Sequence, residues 1–342
     1  MKKKFIVIGN PIHHSLSPKL HNYWIKKYKI DAVYEKKLLA VYDLECAAAG
    51  YSFIEFMQSA INFKYDNGIE VMDIGIISGS NNGFKNAQFQ REANHKIDFA
   101  NLRVSNIIMP LLNSYSRFIN DYFFIKKRNS FLKIKKNYFH TFPKNYKLNI
   151  KKKNYNKQIV WSNIEKRTNK TIIASINENK YFKSLIKKKI KSKFITITLR
   201  EANYNKLRNS HIPSWKRLAD RFEKKNFKVI VLRDMEKLYK KDQFIKNVLF
   251  PEATIDLNFR VSLYSLSTIN LGCSNGPMAL SALNNYPTMI WKAGDNYFKD
   301  WDSLSGINKF SKKLSKKVVY LNRSDKFENL IDDIEYYAKI KL

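Results

Sequence analysis

The chain has 342 residues, 44% of them hydrophobic, and a formal charge of +34, which suits two domains of ordinary size with a sizeable core. No apolar run approaches the ~20 residues of a membrane helix, and Gly9, Asn10 and Pro11 break the short apolar stretch after the basic start, so export is not expected. Cys46 and Cys273 form no metal or redox motif, so a soluble, reducing, cytoplasmic setting is expected.

In chain order, Phe5–Ile8 reads as a short strand. A helix from Pro18 to Tyr28 follows, with Ser17 as its cap and Pro18 as its first residue. Ala32–Glu35 reads as a second strand, giving a βαβ unit too small to bury a core alone. Ala40–Leu44 starts afresh as a strand. Phe53–Phe63 has apolar residues at helical spacing, Val71–Ile77 reads as a strand, and Ser78–Gly83 as a loop. Asn106–Pro110 reads as a strand ending in proline, and Tyr122–Ile125 as another. From Lys126 to Lys170 periodicity is poor, which predicts a surface excursion and an interdomain crossing that hides a short helix.

The second half is clearer. Phe194–Leu199, Lys228–Leu232, Thr268–Cys273, Pro287–Trp291 and Lys317–Leu321 read as strands. Pro213–Lys225, Arg260–Leu266, Pro277–Leu283 and Lys326–Ala338 read as helices. Strands alternating with helices imply parallel sheets, and a doubly wound domain binds ligands beyond the carboxyl ends of its strands.

The charge is uneven. Dense runs lie between Lys126 and Lys193, notably Lys151–Lys153 and Lys187–Lys191. Lysine, asparagine and isoleucine are abundant throughout, as an AT-rich coding sequence would give. No aromatic-studded motif accompanies the runs, so nucleic acid is not the expected partner. A basic face near an anionic membrane surface, or near a nucleotide diphosphate, fits better.

The opening segment, Gly9-Asn-Pro-Ile-His-His-Ser-Leu-Ser-Pro18, within a stretch running to Ala32-Val-Tyr-Glu35, resembles the amino-terminal substrate segment of shikimate dehydrogenase. The resemblance implies that Ser15 and Ser17 hydrogen-bond a substrate carboxylate, with NADP as cofactor. Short hydroxyls at a helix start suit an anion; a capped helix start explains Ser17 and Pro18 equally well. The same family uses a lysine in an Asn-Val-Thr-x-Pro-x-Lys element and an aspartate in an Asn-Thr-Asp element. Ser105–Leu112 echoes the first without its threonine and lysine, and the second is absent. No glycine-rich strand-to-helix turn offers a dinucleotide seat. Dehydrogenase chemistry is therefore expected to be incomplete.

From residue 40 onward the chain resembles a bacterial glycosyltransferase of the two-Rossmann-domain type. The stretches that carry this are Tyr42–Glu45, Tyr51–Phe56, Gly83-Phe84, Arg103–Pro110, Thr198–Glu201, Arg208–Ser210 with Trp215, Val231–Asp234, Arg260–Tyr264 and Gly272–Met278. The implied fold is α/β, two Rossmann-like doubly wound domains (GT-B-like) with a short N-terminal βαβ appendage. The expected divisions are residues 1–37, a first domain 38–160 with a basic linker, and a nucleotide-sugar-binding domain 161–342.

The implied activity moves a sugar from a nucleotide-sugar donor to a carbohydrate acceptor, with no metal and no cofactor. The departing diphosphate needs cations and helix amides. Arg200, Arg208 and Asn209 follow a strong strand, and arginine forks suit phosphate oxygens. Ser274, Asn275, Gly276 and Pro277 join a strand to a helix. Asp234 and Arg260 are further donor-site candidates, and Asp43 or Glu45 is the candidate base. Each has a structural alternative: Arg200 pairing with Glu201 or Asp234, Asp234 capping a helix, Arg260 packing. The shikimate-like opening reads as a gene junction, which predicts that removing residues 1–37 leaves the remainder folded.

Overall fold

The computed structural model describes residues 3–5, 23–24, 26–29, 32–34, 36–80, 83–84, 101–159, 178–203, 205–293 and 317–342. The expected strand residues Ile6–Ile8, the Ser17-Pro18 helix start, Ser15, Asn81-Asn82 and Val160–Lys170 lie outside them. The chain divides into two compact units, Met1–Asn101 with Leu112–Ile172, and Leu102–Leu111 with Ile173–Leu342.

Two short strands, β1 (Lys3–Phe5) and β2 (Ala32–Tyr34), pair in parallel. They form their own two-stranded sheet, with the parallel pairing expected of the opening; β1 lies ahead of the expected Phe5–Ile8 and shares only Phe5 with it. The main sheet of the first unit comprises β3 (Lys37–Asp43), β4 (Val71–Ile77), β5 (Asp121–Ile125) and β6 (His140–Phe142), all parallel, in the order β5-β4-β3-β6. β3 is a continuous apolar run buried from Leu38 to Asp43, as a central parallel strand should be. Because β3 starts at Lys37, a cut at residue 37 would trim it. Deletion of residues 1–35 is expected to keep a single cooperative unfolding transition for the first unit, with little change in Tm. Circular dichroism melts check this, and loss of cooperative melting would show that β1–β2 is integral.

Helix α1 (Ser52–Asp66) extends the predicted helix at both ends and is buried on nearly every side from Phe53 to Phe63. Its inner face meets Tyr42 and Phe142, with Tyr42–Phe53 and Phe56–Phe142 ring centroids 4.8 and 5.8 Å apart. The polar face is covered as well: Ser59 donates to the Ile159 carbonyl at 3.1 Å and Gln58 to the Tyr115 hydroxyl at 3.4 Å.

Two expectations fail here. Asn106–Pro110 is not a strand. Val104–Ile108 is a π-helical turn, leading into α2 (Met109–Ser114). The Met109 N–H bonds back to the Val104 carbonyl, and Pro110, which has no N–H to give, directly follows this widened turn inside a helical stretch that runs from residue 101 to 114. The β-branched pair Ile107-Ile108 imitates a strand locally. The stretch after Lys126 is not a bare excursion either. It contains α3 (Phe131–Lys135), the edge strand β6 and α4 (Lys152–Ile159), and it buries Phe131, Phe142, Tyr146 and Tyr155 completely. Three-residue β6 is too short to show a period; its pairing with Leu38–Ala40 of β3 makes it a strand.

The second unit is a five-stranded parallel sheet, β7 (Phe194–Thr198), β8 (Lys228–Leu232), β9 (Asn270–Cys273), β10 (Thr288–Trp291) and β11 (Val318–Tyr320). Its order is β11-β10-β9-β7-β8. The helices are α5 (Lys180–Lys189), α6 (Ile212–Lys224), α7 (Glu252–Ile255), α8 (Leu257–Leu266), α9 (Met278–Leu283) and α10 (Phe327–Asp333), the last running on as a π turn to Ala338. α6 buries Trp215, Leu218, Ala219 and Phe222, the face its spacing predicts. Trp215 packs edge-on against Trp291 of β10, 5.6 Å between rings. Helix α5 was hidden in the lysine run; Asn179 caps it by accepting the Tyr181 and Phe182 amides.

Candidate functional site

A parallel sheet whose strand order reverses leaves a crevice at the carboxyl ends of the two strands where the chain turns outward in opposite directions. In the second unit these are β7 and β9: β8 lies beyond one, β10 and β11 beyond the other. Gly272 makes their approach close. A Cβ there would stand 2.7 Å from the Thr198 carbonyl and 3.0 Å from the Met278 sulfur.

The segment leaving β7 crosses this crevice. Arg200 is 4% exposed; its N–H bonds to the Ser210 hydroxyl at 2.9 Å, and its guanidinium bonds to the Asn209 side chain and the Asn205 carbonyl. Asn209 donates to the Ala202 carbonyl at 2.8 Å. Arg208 donates to the Ser274 carbonyl at 2.8 Å, tying this loop to the end of β9. There Asn275 accepts the Met278 N–H at 3.1 Å and Pro277 caps α9, so Ser274–Pro277 is the strand-to-helix turn its sequence suggests. The structure thus brings together Arg200, Arg208, Asn209 and Ser274–Pro277.

Asp234 follows β8 and accepts the Glu201 N–H at 2.6 Å. Its pKa is raised by burial, against the pull of that amide and of Arg200. For Arg260 the structure shows the packing alternative. At 3% exposure, its guanidinium is occupied by the Ala253 and Thr254 carbonyls at 2.6 and 3.3 Å, so it closes the end of α7. Glu201, one of the two structural partners weighed for Arg200, holds the buried Arg233 at 2.5 and 2.9 Å, opposite Asp242 at 2.9 Å.

Sequence reading missed two residues. Lys292, just after β10, is 7% exposed and adopts a left-handed φ of 54°. Its ammonium pairs with Asp325 at 2.8 Å and donates to the Asn209 carbonyl. Asp325 is 1% exposed and also accepts from the His211 N–H at 2.6 Å, the Trp215 indole at 2.7 Å and the Cys273 thiol at 3.2 Å. Burial alone would raise its pKa; Lys292, the amide and the indole outweigh that and hold it below the usual carboxylate range. The only local signals are a lysine at a strand end and an aspartate before a helix.

Asp43 and Glu45 belong to the first unit, at the carboxyl end of β3. Asp43 is fully buried and its carboxylate is committed. Arg128 forks onto both oxygens at 2.8 and 2.9 Å, Tyr146 donates at 2.5 Å and the Glu45 N–H at 2.9 Å. Arg128 also reaches the Ser78 and Leu148 carbonyls at 2.8 and 3.0 Å, so one ion pair laces the loops following β3, β4, β5 and β6. Burial and then the Asp43 charge push the Tyr146 hydroxyl far up, keeping it a donor, and push the Cys46 thiol up to about 12. The expected base at Asp43 is thus a structural hub, with no lone pair left in solvent. Glu45 is half-buried and accepts the Ser80 N–H at 2.5 Å. A surface cavity of about 460 Å³ beside Asp66, Lys144 and Gln158 gathers none of these residues.

The architecture is α/β with two Rossmann-like doubly wound units, GT-B-like in class, and a short N-terminal βαβ element. Over 88% of its length the chain is similar to ADP-heptose lipopolysaccharide heptosyltransferase II of E. coli, covering 98% of that chain with a TM-score of 0.53 at 11% identity. A glycosyl transferase family 9 protein from Veillonella parvula aligns over 88% of this chain and 97% of its own, with a TM-score of 0.47 at 11% identity. The amino terminus points elsewhere. Residues 7–56 match the shikimate dehydrogenase substrate binding domain. Shikimate dehydrogenase (NADP(+)) of Pelagibacter ubique is 76% identical over 45 residues, 13% of this chain and 17% of that protein. The Bartonella henselae enzyme is 53% identical over 36 residues, 10% of this chain and 12% of its own. These matches span less than a fifth of either relative. The matched domain runs past Glu35, the end of the resemblance read from sequence, through β3 and into α1.

Proposed function

We propose that the chain is a glycosyltransferase that binds a nucleotide sugar at the carboxyl ends of β7 and β9 and passes its sugar to a carbohydrate acceptor. The observation that carries this is the strand-order switch occupied by the Arg200–Asn209 loop, whose Arg208 is fastened to the Ser274–Pro277 turn. The heptosyltransferase likeness supports the donor class. A leaving nucleoside diphosphate gathers negative charge, and Arg200, Arg208 and the backbone amides around Gly276 offer positive groups for it. No metal or cofactor is invoked, and the nucleotide sugar is substrate. Of the two candidate carboxylates read from sequence, Glu45 is the better acceptor base, since Asp43 is held by Arg128. The excess of lysine favours peripheral contact with an anionic membrane surface from the cytoplasmic side. No described helix is long and apolar enough to cross a membrane.

Thermal shift tests the donor site. Among ADP, UDP and GDP, one is expected to raise Tm by several degrees at a concentration near 100 Kd, where linkage gives about 2.7 kcal/mol. Arg208→Ala should remove the shift. If none of the three moves Tm, the donor reading fails.

The second reading is an NADP-dependent shikimate dehydrogenase, favoured by the match over residues 7–56, with Ser15 and Ser17 on the substrate carboxylate. NADPH formation from shikimate would establish it, and a flat trace with ample protein would remove it.

A further inference from the structure

Lys292 is an expensive residue to bury. Its ammonium leaves water, and its backbone takes a left-handed conformation that favours glycine or asparagine. Both features serve one geometry. The Lys292 N–H bonds to the Arg323 carbonyl at 3.0 Å and the Ala293 N–H to the Leu321 carbonyl at 3.0 Å, fixing the chain where β10 ends beside the residues following β11. From there the side chain reaches the Asn209 carbonyl.

The ammonium has little freedom, because its counterion has none. Asp325 gives one oxygen to Lys292 at 2.8 Å, and its other oxygen is fixed by the Trp215 indole and by the His211 N–H at the start of α6. Trp215 is completely buried in the core. A rigid sequence of contacts therefore runs from the core through Asp325 and Lys292 to Asn209, whose side chain accepts from the Arg200 guanidinium. An ion pair serving stability alone would need only Asp325 and Lys292. The continuation to Asn209 ties the pair to the loop bearing Arg200 and Arg208.

We infer that Lys292 is a positioning residue: held by Asp325, it sets the Asn209 backbone and through it the direction of the Arg200 guanidinium toward the phosphates of a nucleoside diphosphate. This rests on the donor-site reading above, but its first consequence is visible without ligand.

The test pairs Lys292→Met with Asp325→Asn, so that no charge is left buried alone. Hydrogen exchange of the full chain is followed without ligand, and ADP, UDP and GDP affinity is measured by calorimetry. The folded double variant is expected to lose protection at residues 205–211, with the strands of the second unit unchanged. Affinity for whichever diphosphate binds the parent should fall about tenfold, the cost of one lost charge-assisted hydrogen bond. Unchanged protection of 205–211 overturns the inference, whatever binds. Lost protection in a protein that binds none of the three upholds the positioning and sinks the donor reading. If the double variant does not fold, Asn209→Ala is the substitute, since it keeps the Lys292–Asp325 pair and removes the side-chain link to Arg200, together with the bond to the Ala202 carbonyl. It should show the same tenfold loss, and parental affinity there would overturn the inference.

Discussion

Arg128→Ala is expected to lower the melting temperature of the first unit by on the order of 10 °C. The estimate follows from about 3–5 kcal/mol for stranding one partner of a buried pair, and a few degrees per kcal/mol in a unit of this size. Asp43 is fully buried, and after the substitution its charge keeps Tyr146, the Glu45 amide and the weak Cys46 thiol contact at 3.9 Å, with no cation. The Ser78 and Leu148 carbonyls lose their donor at the same time. The double variant Arg128→Leu with Asp43→Asn should recover most of the loss, because no charge is then buried alone. Thermal and urea melts of the three proteins check this. A single variant as stable as the parent, or no better recovery in the double, would show that the pair does not hold the four loops together.

Gly272→Ala is expected to destabilise the second unit by about 2 kcal/mol, and valine by more, through overpacking. The atom encountered at 2.7 Å is the backbone oxygen of Thr198. It cannot retreat without disturbing the β7–β9 pairing, where Thr198 and Gly272 are register partners. Arg200 begins two residues further on, so nucleotide affinity should fall together with stability. Urea unfolding gives the first quantity and calorimetry the second. A midpoint equal to the parent's would mean that the two strands part there at little cost.

Legibility in the sequence followed the range of the interactions. Ile195–Thr198 and Val229–Leu232 are dense in β-branched residues and buried along their length, and both were read as strands almost to the residue. Helix α6 announced itself by Pro213 and by its apolar spacing. The loops after β7 and β9 could be named as candidates because a doubly wound sheet places ligands there whatever the side chains. By contrast, β6 is a strand only through β3, and the turn at Val104 only through a hydrogen bond that skips five residues. The partners that hold Asp43 were hidden for the same reason. Arg128 lies 85 residues from the carboxylate it neutralises, and Tyr146 lies 103 residues away.

The opening segment shows the same division. Its similarity to shikimate dehydrogenase is a property of residue order, legible without coordinates and confirmed over residues 7–56. That its strands β1 and β2 pair apart from the main sheet, while the matched stretch also supplies β3 at the interior of that sheet, is a property of pairing. By itself the sequence determined the α/β class, most of the strands and the crevice at their carboxyl ends, since these depend on local periodicity and on the alternation of strand and helix. Tertiary structure decided which charged groups face that crevice and which are consumed in holding loops. A charge in the interior must find an opposite charge or a hydrogen bond, and in this chain Arg128, Lys292 and Asp325 find theirs among residues remote in sequence.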